Sequence, residues 1–249
     1  MSSLSAIKTI AKRELASYFT SPVAYVFIVI FLVLSGSFTF LLGGFFERGE
    51  ASLVRPFFDW HPWLYLFLVP AAGMRVWSEE RRLGTLELLL TMPVTPWQAI
   101  VGKFLASWLF LVIALALTFP TVWTVNYLGN PDMGTIFTGY VGSALLAGAY
   151  LAVTCMTSAM TRNQVISFIL SVVICFFFIA VGWTPVTEFL SKWLPDRMVD
   201  LVATFSVLPH FAGFQRGVLD SRDLVFFLSI MGFALFCTGV IIRNIRSGN

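Results

Sequence analysis

Two histidines, three cysteines and one dense patch of paired charges are the residues in this chain whose types could do chemistry. A hydrolytic site would need His61 or His210 within reach of a nucleophile and an orienting acid. Neither has a Ser, Cys or paired acid at a recognisable catalytic spacing, and each stands beside a proline as structural histidines do. Cys155 and Met156, with Met160 one helical turn on, are soft sulfur donors of the kind that hold Cu(I). Two or three sulfurs on an apolar helix more often pack than ligate, and Cys155, Cys175 and Cys237 show no CxxC spacing. No Gly-x-x-x-x-Gly-Lys-Ser/Thr phosphate loop occurs, so the chain has no such means of cradling ATP. These readings leave no catalytic, cofactor or metal residue to name.

The charged patch is more informative. Glu79, Glu80, Arg81 and Arg82 are followed by Gly84, which permits a tight turn, and by Thr85, which suits an N-cap. Glu87 matches the positive end of a helix and Pro93 stops it. The pattern predicts a helix of about two turns over 84–91, with Leu86, Leu89 and Leu90 on one face. An apolar knob beside pairable charges is how a helix docks in another protein's groove. The alternative is an interfacial helix with its leucines in lipid.

The elements that must carry this patch follow from composition. With 58% hydrophobic and only 12% charged residues, the chain has too little polar surface to cover a soluble globule of 249 residues, so its solvent is lipid. A net charge of +3, dispersed along the chain, gives no nucleic-acid surface. The expected fold is all-α and integral to the membrane, a single domain over 1–249 with six spans at 23–46, 60–77, 97–125, 135–160, 165–183 and 224–242. Ten basic residues fall on the side of the chain termini and six on the other, which by the positive-inside rule makes both termini cytoplasmic. Ahead of the first span, Ile7, Ile10, Ala11, Leu15 and Tyr18 form a stripe that leaves out Lys8, Lys12 and Arg13, as in a helix over 1–21 lying flat on the membrane. The long apolar run starts after Pro22 with no small-residue cleavage site, so a cleaved leader is not expected. In the outer connection over 184–222, stripes through Phe189 and Trp193 and through Leu201 and Phe205 predict two short amphipathic helices.

No clear Asp, Glu, Lys or Arg stands inside the spans; Arg75 and Lys103 lie near span ends, where snorkelling is expected. That counts against ion-coupled transport and leaves the energy source outside the spans. Phe176, Phe177 and Phe178 are candidates for lining an apolar pathway, against the plainer reading of lipid or core contact.

The run Glu79-Glu80-Arg81-Arg82-Leu83-Gly84-Thr85-Leu86-Glu87-Leu88-Leu89-Leu90, with Pro93 and Gly102-Lys103 after it, resembles the signature of type 2 ABC transporter export permeases. The segment from Lys12 through Pro22, and Phe67-Leu68-Val69-Pro70-Ala71 up to Arg75, resemble more narrowly the gliding-motility permease branch. The likeness covers about the first 110 residues and continues as one of topology only. It implies an elbow helix before the first span and a coupling helix at 84–91 on a separate ATPase subunit, which holds ATP and Mg. The ATPase contact would then comprise Glu79, Glu80, Arg81, Arg82, Gly84, Thr85, Leu86, Glu87, Leu89 and Leu90. It also implies a homodimer in a bacterial inner membrane, with Phe189, Trp193, Leu201 and Phe205 in an outer lid over the pathway. A second implication is a permease that only passes force to an extracytoplasmic machine or copper-site assembly, through an auxiliary membrane subunit with its own extracytoplasmic domain.

Overall fold

In the computed structural model, which describes residues 3–48, 52–86, 95–193 and 195–247, every regular element is helical among the described residues. The helices are α1 (Ser3–Thr20), α2 (Pro22–Ser37), α3 (Phe45–Arg48), α4 (His61–Gly73), α5 (Arg75–Leu83), α6 (Pro96–Ala116), α7 (Pro120–Leu128), α8 (Met133–Met160), α9 (Gln164–Ala180), α10 (Thr184–Ser191), α11 (Asp196–Ala203), α12 (Val207–Gln215) and α13 (Ser221–Ser247). Local chemistry sets several of their starts. Ser21, Asp132, Asn163 and Ser206 each accept a backbone N–H of the first turn, and Thr95 with Gln98 closes a capping box on α6.

Among the described residues, four helical stretches are long and apolar enough to cross a membrane: Pro22–Leu42, Pro96–Leu128, Met133–Met160 and Ser221–Ile245. A fifth arises if α9 and α10, which bend by 67° at their junction, form one broken span. The stretch expected over 60–77 is instead divided at Met74 into α4 and the polar α5. With 13 residues, α4 is about 20 Å long.

The axis of the bundle is α8, in which every residue from Leu146 to Cys155 is buried. Its small residues let neighbours approach closely. A Cβ on Gly139 would lie 2.6 Å from the Phe58 ring, one on Gly142 2.6 Å from Phe214 and one on Gly148 2.7 Å from Met231. The close approach of Phe214 brings α12 against α8, where Thr138 Oγ1 donates to the Phe214 carbonyl at 2.7 Å. The two short amphipathic helices read between the last two expected spans are found as α10 and α11, whereas α12, nine residues with Pro209 in its first turn, was not read from the sequence.

The N-terminal helix keeps its stripe, with Ile7, Ile10, Leu15 and Tyr18 half-buried and Lys8, Lys12 and Arg13 exposed. Its contacts, however, step along α6 in the same direction: Gln98 Nε2 donates to Ser3 Oγ, Gly102 faces Ile10, and Tyr18 meets Ser107 and stacks on Phe110 at 4.9 Å. α1 therefore runs beside the first half of α6 rather than crossing the span ends. The notch at Gly102, where a Cβ would sit 2.8 Å from Ile10, permits that approach.

Candidate functional site

The charged patch singled out in the sequence is carried by α5, and α5 owes its start to a residue from another helix. Its N-cap position, Met74, offers no side-chain cap. Instead Ser158 Oγ of α8 accepts from the backbone N–H groups of Trp77 and Ser78, at 3.1 and 3.0 Å, and donates to the Met74 carbonyl at 2.8 Å. One hydroxyl thus satisfies two donors that a helix start leaves open. At the far end Gly84 adopts the left-handed conformation, φ 72°, and ends the helix at the position where the sequence predicts a tight turn. Thr85 Oγ1 reaches back toward the Glu80 carbonyl at 3.5 Å, a long contact.

Helical spacing sorts the patch into two faces. Trp77, Glu80 and Arg81, at i, i+3 and i+4, face the bundle. Glu80 Oε1 lies 2.8 Å from Lys103 Nζ, which also stands 3.4 Å from Glu14 Oε1 and 5.4 Å from the centre of the Trp77 ring. Lys103 is only 6% exposed, so it does not snorkel as expected: two carboxylates and an aromatic face take the place of headgroup water. Arg81 Nη1 donates to the Ala159 carbonyl at 2.5 Å, placing a cation on the last open carbonyls of α8. Burial, and secondarily the nearby Arg162, lower its pKa from the usual value. Burial also pushes the Tyr18 phenol up to about 12, against the opposing hydrogen bond with Ser107.

The opposite face carries Glu79 and Arg82, which pair with each other at 3.6 Å, and Leu83, which is 63% exposed. Leu86 departs from the expected knob: at 3% exposure it is enclosed with the core side chains. Glu87, Leu89 and Leu90 lie outside the described residues. Glu14, Trp77, Lys103 and Ser158 were not among the contact residues read from sequence. The i, i+3, i+4 relation to Trp77 was a usable signal for the inward face, whereas nothing local marks Ser158, 80 residues from the amide it caps.

Elsewhere the candidates separate. Phe176 and Phe177 are exposed on α9 while Phe178 packs against the core. Phe189, Trp193, Leu201 and Phe205 are all exposed on α10, α11 and the turns that follow them. Cys155 is enclosed whereas Met160 is exposed. His61 Nδ1 does meet a serine, Ser143 Oγ at 2.6 Å, but both are buried in the core among aromatic rings. His210 bridges the Asp223 carboxylate at 2.7 Å and the Thr204 carbonyl at 3.2 Å, tying α12 to α13 and to the end of α11.

The family model described as ABC-2 family transporter protein matches residues 61–218, well over half of the chain. The chain belongs to the ABC-2 transporter family. Comparison with curated proteins gives no match. As an ABC-2 family member with several apolar helices, it is a multi-pass membrane protein and a membrane subunit of an ABC transporter, the kind of subunit that partners an ABC ATPase. The family match begins at His61 and takes in α5 and its Lys103 clamp, whereas Glu14 lies ahead of it.

Proposed function

We propose that this chain is the permease subunit of an export-type ABC transporter of the gliding-motility permease-like branch, driven by a separate ATPase that binds ATP and Mg. In this reading it is a six-span homodimer in a bacterial inner membrane, with α4 and α5 forming the second span and its extension, α1 the elbow helix, and both termini in the cytoplasm. The single observation that carries the proposal is the way α5 is held. Its inward face is fastened to α1 and α6 through Lys103 and to α8 through Ser158 and Arg81, while Glu79, Arg82 and Leu83 face outward.

A helix clamped on one face and free on the other passes a push into the bundle instead of yielding locally. The partner's contact is then the outward face of α5 together with Thr85 and the following segment, Glu87, Leu89 and Leu90 included. Glu80, Arg81 and Leu86 support that contact from behind, and Gly84 sets its direction. ATP-driven closure of two ATPase subunits would move α5 and, through it, α6 and α8.

The test is to change the outward face alone. Arg82→Glu combined with Leu83→Asp is expected to abolish copurification of the ATPase and its stimulated activity, with the thermal midpoint of the permease unchanged. An intact, stimulated complex would refute the docking role.

A second reading is force transmission to an extracytoplasmic machine through an auxiliary membrane subunit, with which one observation is also consistent. Phe189, Trp193, Leu201 and Phe205 form an exposed apolar surface on α10, α11 and their flanking turns, which suits either a lid or a partner's seat.

A further inference from the structure

A cleft of about 390 Å³ opens where α1, α2, α4, α5 and α6 converge. That volume is in the range of a small-molecule site. Its two halves differ in chemistry. One wall is apolar, from Val23, Ala24 and Phe27 at the start of α2 and from Ala72 at the end of α4. The other carries Glu14, Arg75, Glu79, Glu80 and Lys103. The boundary falls where apolar α2 and α4 give way to polar α1 and α5, so the cleft has hydrocarbon-like walls at one end and headgroup-like polarity at the other.

The charges in the cleft do not close on themselves. Glu79 pairs with Arg82, which lies outside the cleft. Glu14 and Glu80 both pair with Lys103, and Glu14 Oε1 also stands 3.3 Å from the exposed Arg13. The second oxygen of Glu80, Oε2, is buried and has no hydrogen-bond partner. Arg75 lines the same cleft, exposed and without an ion-pair partner among the described residues. The Glu80 carboxylate, with one oxygen unpaired, and the Arg75 guanidinium therefore line one cleft. They lie five residues apart on α5, about 7.5 Å of helical rise.

We infer that this cleft binds one phospholipid with a zwitterionic phosphoethanolamine headgroup, its phosphate on Arg75, its ammonium on Glu80 and Glu14, and its chain along Val23, Ala24 and Phe27. The guanidinium fork suits phosphate oxygens. A primary ammonium brings N–H donors to the open carboxylate oxygen, which a trimethylated choline lacks and an anionic glycerol headgroup cannot match with charge. An anionic lipid would also place its unbalanced charge beside Glu14 and Glu80. The inference requires only that the chain lie in a membrane, so it stands or falls separately from the identity of the ATPase contact.

The test is native mass spectrometry of the purified full chain in detergent, titrated with phosphatidylethanolamine, phosphatidylglycerol and phosphatidylcholine of identical acyl chains. One phosphatidylethanolamine per chain is expected, retained about tenfold more tightly than either other lipid, as the loss of one charge-assisted contact would give. Arg75→Gln is expected to weaken retention of all three lipids by about tenfold, since each carries the phosphate, without altering the thermal midpoint, because Arg75 has no ion-pair partner among the described residues. Glu80→Gln is expected to bring phosphatidylethanolamine down toward the level of the other two lipids, and where it weakens the fold, the loss of binding in Arg75→Gln decides. Equal retention of the three lipids, or undiminished phosphatidylethanolamine binding by Arg75→Gln, overturns the inference. Soluble glycerophosphoethanolamine binding as tightly as the lipid overturns the role of the apolar wall.

Discussion

Replacing Lys103 by Met keeps the length and most of the volume of the side chain while removing the cation on α6 that pairs with Glu14 of α1 and Glu80 of α5. Both carboxylates then remain, with Glu14 and Glu80 side chains about one-fifth exposed, at 23% and 22%, and Glu80 Oε2 already without a partner. Breaking one partner of a fully buried pair costs about 3–5 kcal/mol, because the surviving charge is left uncompensated. Partial access of water to both carboxylates lowers the expected loss to about 2–3 kcal/mol. For a chain of this size that corresponds to a fall in thermal midpoint of about 4–12 °C.

The informative measurement is a cycle of Lys103→Met, Glu80→Gln and the double variant, followed by thermal unfolding in detergent. In the double variant both members of the Lys103–Glu80 pair are gone and neither is left without the other, so it is expected to be more stable than the two single losses summed, by about 1–2 kcal/mol. Strict additivity, or a shift below about 2 °C for Lys103→Met, would refute the claim that this ion cluster fastens α5 to α1 and α6.

Two further substitutions probe the other fastenings. Ser158→Ala removes the acceptor shared by the Trp77 and Ser78 amides; it is expected to cost about 1–3 kcal/mol and to speed trypsin cleavage after Arg81 and Arg82, and unchanged cleavage would show that α5 does not depend on this cap. Gly142→Leu drives a side chain into Phe214, whose Cβ would lie 2.6 Å from the new Cβ; about 1–3 kcal/mol should be lost, with part recovered when Phe214→Ala is added, and no recovery would mean the clash lies elsewhere.

What could be read from sequence was governed by local periodicity and by the bilayer as solvent. Apolar runs such as Pro22–Leu42 and Ser221–Ile245, which overlap the expected spans 23–46 and 224–242, and the turn at Gly84 are each set by neighbours within a few residues. The amphipathic stripes of α1, α10 and α11 were legible for the same reason, since a helix face repeats every three to four positions. The tertiary structure alone decided what those faces meet. Lys103 looked like a span-end residue bound for the headgroups because nothing beside it in sequence carries a countercharge; Glu14 and Glu80 reach it from helices 89 and 23 residues away. The four charges of 79–82 looked like one exposed patch, yet Glu80 and Arg81 turn inward because Trp77 anchors their side of α5 in the core. Leu86 is enclosed rather than presented, α12 is pinned by the missing side chain at Gly142, and α5 begins where Ser158 arrives from α8. Each of these is a contact between residues far apart in the chain, and such pairings leave no periodic trace in one sequence.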